Sequence, residues 1–137
     1  YEGAHSTEVD PNTPYPVIDL MPDQRGVFSI GGTLRLGKYA CKLQPGYKAQ
    51  ALYGVDEIWE RHRHRYEYNN EYLEAFEAAG MKAAGWNEER ELVEMIELPA
   101  HPYYLAGRFH PEVKSRLNRP HPLFVGLVAA ALERTKG

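Results

Sequence analysis

Phe109-His110-Pro111-Glu112 sets an imidazole and a carboxylate two residues apart, with a proline between them. A carboxylate beside an imidazole fixes its tautomer and stabilises its charged form, which is what a general base and its orienting acid need. Pro111 drives His110 toward extended geometry, because the residue before proline avoids the helical region. Proline also cannot donate to a sheet ladder, so a strand is expected to end here. Residues two apart on an extended chain share a side. His110 and Glu112 are therefore candidate catalytic residues at the carboxyl end of a strand, where open α/β sheets bind ligands. The same letters also fit a surface His-Pro turn beside a solvated glutamate.

Arg61-His62-Arg63-His64-Arg65 alternates, sending three arginines to one face of a strand and two histidines to the other. Guanidinium forks suit carboxylates and phosphates. A carboxylate clamp, a nucleic-acid patch and a metal site through the histidines all fit, and so does a plain solvated charge run. His62 and His64 alone fall short of a zinc ligand set and no cysteine lies near them, so no metal is expected. Cys41 lies in the alternating stretch Tyr39 to Leu43. That is not the strained turn or helix start that lowers a thiol pKa, and it reads as a small buried hydrophobe. Glu8, in His5-Ser6-Thr7-Glu8, is an acid in a polar loop.

The elements that must hold these residues alternate between strand and helix. Pro11, Pro14 and Pro16 punctuate the opening and bar regular structure there. Val17 to Met21 and Val27 to Ile30 read as short strands. Thr33 to Gly37 and Tyr39 to Leu43 alternate as two half-buried strands with a bend at Gly37-Lys38. Gln50 to Tyr53 is a brief helix or turn, and Arg61 to Tyr68 a strand with two polar faces. Glu71 to Ala79 is an amphipathic helix stopped by Gly80. Met81 to Trp86, Leu92 to Leu98 and Tyr103 to Phe109 are strands. Pro122 to Glu133 is a last helix with Leu123, Phe124, Leu127, Val128, Ala131 and Leu132 on its apolar side. This mixture is α/β or α+β.

The 137 residues suffice for one modest core. Hydrophobic residues at 43% and charged residues at 26% are ordinary for a globular domain. A net charge of -3 excludes an overall basic nucleic-acid binder, though not a local basic patch. One cysteine forms no intrachain disulfide, which favours a reducing compartment. No apolar run is long enough to span a bilayer. The chain opens on Tyr1 rather than Met and is expected to begin inside a domain.

In order along the chain come Ser6-Thr7-Glu8, Gly31-Gly32-Thr33-Leu34-Arg35-Leu36-Gly37 and Glu60 to Glu67. Leu92-Val93-Glu94 with Ile96-Glu97 and His101-Pro102 follow. Phe109-His110-Pro111-Glu112 and Lys114-Ser115-Arg116 then run into Pro122-Leu123-Phe124. Together these segments resemble the glutamine amidotransferase domain of the CTP synthases, specifically its C-terminal half. The resemblance covers nearly the whole chain. It implies an α/β, flavodoxin-like class I amidotransferase fold. The sheet would be mostly parallel with flanking helices and an antiparallel excursion near Gly31 to Leu43.

Members of that family make CTP from UTP, ATP and glutamine, passing ammonia from a glutaminase domain to a separate synthetase domain. By resemblance, His110 is the base of a Cys-His-Glu triad and Glu112 its orienting carboxylate. Glu8 recognises the α-amino group of glutamine and Arg65 binds its α-carboxylate. Residues 1–137 would be the C-terminal portion of the glutaminase domain, without the nucleophile-bearing elbow or the synthetase domain. The resemblance implies no cofactor in this chain, and ATP with Mg in the synthetase domain. The full protein would be a cytoplasmic homo-oligomer with no nucleic-acid or membrane partner. Cys41 follows the Ser-Thr-Glu segment, whereas the family's nucleophile precedes it, and the stretch from Met21 to Gly31 is shorter than in many relatives. The chain alone is therefore expected to be inactive. The alternative is a non-catalytic glutamine-binding or interaction module that kept Glu8 and Arg65. The intact His110 and Glu112 favour the first reading, because a binding module has no need of a base.

Overall fold

The computed structural model describes residues 1–20 and 35–136. The strand expected at Val27 to Ile30, and the start of the antiparallel excursion, lie outside the described residues. The first strands are β1 (Ala4–Ser6), β2 (Tyr15–Leu20) and β3 (Arg35–Leu43), followed by helix α1 (Lys48–Tyr53). Next come β4 (Glu57–His64), β5 (Tyr66–Tyr68), a 3-10 turn at Asn70–Tyr72 and α2 (Leu73–Ala78). The chain continues through β6 (Lys82–Asn87), β7 (Leu92–Glu97) and β8 (Leu105–Gly107). It ends in α3 (Pro111–Lys114) and α4 (Pro122–Thr135).

Among the described residues the strands form two sheets, one ordered β1-β2-β5 and the other β4-β3-β6-β7-β8. This corrects the expectation of a mostly parallel sheet. β1 and β2 run parallel, whereas every other described pairing is antiparallel. Connection length gives the physical reason. β6 and β7 are joined by the short turn Glu88 to Glu91, and a parallel neighbour needs a crossover of about a dozen residues.

β3 is one continuous strand rather than two, paired with β4 from Arg35↔His64 to Lys42↔Glu57. Its alternation passes unbroken through Gly37, so Arg35, Cys41 and Leu43 all face inward. Gly37 takes the left-handed φ of 115° that its missing Cβ permits. Pro16 lies inside β2, at the end that β5 does not reach, since their pairing starts at Ile18.

Among the described residues the core has two clusters. Cys41, Leu43, Ala49, Ile58, Ala84, Met95 and Phe109 form one; Tyr68, Ala83 and Val93, with Leu73 and Phe76 against them, form the other. The last helix forms where expected, over Pro122–Thr135. Its buried residue is Gly126, which sits so close to Leu52 and Tyr103 that an added Cβ would meet them at 2.7 and 2.8 Å. Leu127, Val128 and Leu132, placed on its apolar side by sequence, are exposed. No helix among the described residues is long and apolar enough to cross a membrane.

Candidate active site

Phe109 is buried in the core at 4% exposure and anchors the segment that follows β8. The next residue, His110, donates its backbone N–H to the Arg61 carbonyl on β4 at 2.8 Å. Pro111 opens α3 at a position where its missing N–H costs nothing, and Glu112 falls in the first turn. His110 Nδ1 and Glu112 Oε1 are 2.7 Å apart. The pair is together as expected, but through a different geometry: the first turn of a helix, not one side of an extended strand, folds the carboxylate back. β8 has ended at Gly107. The hydrogen bond from His110 holds the Glu112 carboxyl below its usual pKa. With Nδ1–H engaged by the carboxylate, the His110 lone pair is on Nε2.

A second anchor fixes α3 and α4 against β4. Glu60, fully buried, accepts from Lys114 Nζ at 3.0 Å, His121 Nε2 at 3.0 Å and the Tyr53 hydroxyl at 3.2 Å. Burial pushes its carboxyl up, but the hydrogen bonds from His121 and Lys114 outweigh that and hold it below the usual range. His121 caps α4 through Nδ1, which accepts from the Leu123 N–H.

Glu8 and Arg65 lie at the same end of the β1-β2-β5 sheet. β1 runs parallel to β2, and β5 antiparallel with Leu20 opposite Tyr66. The carboxyl ends of β1 and β2 therefore share an edge with the start of β5. Glu8 follows β1 by two residues, and Arg65 immediately precedes β5. Glu8 is exposed and Arg65 half-buried, and neither side chain makes an ion pair among the described residues. Arg65 is the single residue between β4 and β5, which belong to different sheets. The strand expected from Arg61 to Tyr68 is thus broken at the residue assigned to a substrate.

Behind this break lies a buried charged network that sequence reading did not assign. Arg35 pairs with Glu67 at 3.2 Å and with Glu94 at 2.5 Å, and all three side chains are essentially removed from solvent. His62 Nδ1 and His64 Nε2 are 2.7 Å apart, and His64 Nδ1 donates to the Tyr66 carbonyl at 3.1 Å. Those partners set the tautomers: His64 accepts at Nε2 from His62 Nδ1–H. Burial, then the charges of Arg35 and Arg108, push His62 to about 2 and His64 to about 3, so both rings are neutral. Burial raises Glu67 to about 7 and raises Glu94 as well. The histidines are spent on each other and on Tyr66, and no cluster of metal-binding groups forms among the described residues. The signal in the sequence was charge at inward positions: Arg35 in phase with Cys41 and Leu43, and Glu94 beside Val93 and Met95. Arg61 and Arg63 point outward and are exposed.

Cys41 is completely buried, and burial pushes its thiol up to about 12. It is a core residue, as its alternating context indicated.

Residues 18–130 match the model of the family "Glutamine amidotransferase class-I". The chain belongs to that family. This amidotransferase chain is 59% identical over 129 residues to a CTP synthase of Thermomicrobium roseum, covering 94% of the chain and 23% of the relative. It is 54% identical over 132 residues to a CTP synthase of Staphylococcus aureus, covering 96% of the chain and 25% of the relative. Among solved structures it is similar to the Trypanosoma brucei CTPS glutaminase domain with bound acivicin. That likeness has a TM-score of 0.88 at 29% identity, over 97% of this chain and 52% of that one. The amidotransferase chain therefore spans about a quarter of the length of the CTP synthases it matches.

Proposed function

We propose that this chain is the C-terminal part of the glutaminase domain of a CTP synthase. In this reading the domain releases ammonia from glutamine, and a separate synthetase domain uses it to aminate UTP to CTP at the expense of ATP. ATP with Mg belongs to that synthetase domain, and this chain's residues bind glutamine. The thiol nucleophile comes from the part of the domain outside this chain, because Cys41 is buried with a raised pKa. His110 Nε2 takes the thiol proton as sulfur attacks the side-chain amide carbon, and returns it to the departing ammonia. Glu112 holds Nδ1–H and stabilises the imidazolium formed in between. Water then cleaves the thioester to glutamate. Glu8 pairs with the α-ammonium of glutamine and Arg65 with its α-carboxylate, so opposite charges read the two ends of one amino acid. The assembled protein works in the cytoplasm as a homo-oligomer.

The observation that carries this reading is the 2.7 Å contact between His110 and Glu112 in a chain 54% to 59% identical to CTP synthases. The similar glutaminase domain with bound acivicin supports it. The test is ammonia release from glutamine by the full-length protein and its His110→Ala variant. A fall of about 100-fold or more is expected for loss of a general base. Unchanged release overturns the assignment.

A further inference from the structure

The candidate site draws on two segments of the fold. Arg65 sits where the chain leaves the five-stranded sheet for the three-stranded one. His110 sits on the segment that follows β8. Arg108 lies two residues before His110 and reaches from that segment to the start of β5. Its guanidinium Nη2 donates to the Tyr66 carbonyl, the carbonyl that also accepts from His64 Nδ1 at 3.1 Å. Its backbone N–H donates to the Glu94 carbonyl on β7 at 2.9 Å. His110 in turn holds the Arg61 carbonyl at 2.8 Å. The segment from Arg108 to His110 thus grips the chain on both sides of Arg65, four residues before it and one after. Among the described residues the Arg65 side chain has no hydrogen-bond partner of its own, so its placement depends on its backbone.

We infer that Arg108 is a positioning residue for glutamine binding: its bond to the Tyr66 carbonyl sets the Arg65 guanidinium at a fixed span from His110. A neutral or shorter side chain at 108 leaves His110 in place, because Phe109 and the Arg61 carbonyl still hold that residue. What is released is the β4–β5 junction. The loss therefore falls on recognition of the substrate carboxylate and not on proton transfer. A charged donor is required because the bond is made in a partly buried position, where a charge-assisted contact is stronger than a neutral one.

The inference rests on the glutaminase reading above, and the experiment separates the two. Arg108→Ala and Arg108→Lys are made in the full-length protein, with glutamine KM and kcat measured for ammonia release and CTP formation from ammonium measured in parallel. Arg108→Ala is expected to raise glutamine KM about tenfold or more while kcat stays within about threefold. Arg108→Lys, which keeps a charged donor, is expected to recover most of that loss. The ammonium-driven rate reports that the variants are folded. An unchanged KM in Arg108→Ala overturns the inference alone. So does an equal fall in kcat and in the ammonium-driven rate with no recovery by lysine, which is the signature of general misfolding. A wild-type protein that releases no ammonia from glutamine overturns the glutaminase reading instead.

Discussion

His110 and Glu112 face each other at the start of α3, with Nδ1 and Oε1 2.7 Å apart and both side chains open to solvent. The contact orients the ring and leaves the Nε2 lone pair free for the proposed proton transfer. Glu112→Gln keeps a side chain of the same reach but removes the charge that stabilises the imidazolium. The expected outcome is a fall in kcat for glutamine hydrolysis of about 100-fold, with glutamine KM little changed. Steady-state kinetics on the full-length protein check this, and an unchanged kcat contradicts it.

In the proposed reading Arg65 binds the α-carboxylate of glutamine. Arg65→Ala removes a charge-assisted bond worth about 1.5–3 kcal/mol. Glutamine KM is then expected to rise roughly 10- to 150-fold, since each 1.4 kcal/mol is about a factor of ten. Ammonium-driven CTP formation is expected to be unaffected. A glutamine dependence identical to wild type removes Arg65 from the site.

The buried histidines give a pH signature. His62 and His64 are pushed down to about 2 and about 3 when folded, and titrate near 6.5 when unfolded. The stability tied to their neutral forms is full above about pH 6.5 and is lost as pH falls below it. Glu67, raised to about 7, has the opposite sign. Its contribution is full below the ordinary carboxylate range and is lost as pH rises through about 7. Between about pH 4.5 and 6.5 the unfolded chain binds two protons at the histidines, and the folded one binds a single proton at Glu67. The histidine part of the stability therefore rises with pH in this window, opposed by Glu67 and Glu94, whose carboxyls burial raises. In NMR spectra at pH 5 both rings are expected to remain neutral. A His62 or His64 ring that titrates near 6.5 contradicts the assignment.

Packing under the site is tight at one glycine. A Cβ on Gly85 would stand 2.7 Å from Cys41 Sγ and 3.2 Å from Met95 Cβ, both deep in the core. Gly85→Ala is expected to destabilise the protein by about 1–3 kcal/mol through overpacking. Adding Cys41→Ala relieves part of the clash, so the double variant is expected to melt above the sum of the two single losses. Additive losses contradict the contact.

The parts of the molecule legible in the sequence are those set by local chemistry. Pro111 marks an element boundary, the first residue of α3, and the alternation around Cys41 correctly marks an inward thiol. Gly80, with φ of 96°, stops α2 as its type suggests. What was not legible depends on partners distant in the chain. The His62 to His64 stretch reads as a polar strand face. It is buried because Arg35, Glu67 and Glu94 arrive from β3, β5 and β7, pair through Arg35 and pack over the imidazoles. The break at Arg65 has no local marker; it follows from β5 pairing with β2 in the other sheet. The α4 stripe is legible as an apolar side, but periodicity does not report what covers it, and Leu127, Val128 and Leu132 are exposed.

The central claim is that His110 serves a glutaminase whose only connection to CTP formation is ammonia. The most direct measurement is CTP formation by full-length His110→Ala with glutamine and, separately, with ammonium at high pH as the nitrogen source. Loss of the glutamine-driven reaction with the ammonium-driven one retained is the predicted result, because on this account amination of UTP proceeds in a separate synthetase domain. Equal loss of both would make His110 a structural residue and contradict its role as the base. Retention of both would contradict the glutaminase assignment itself.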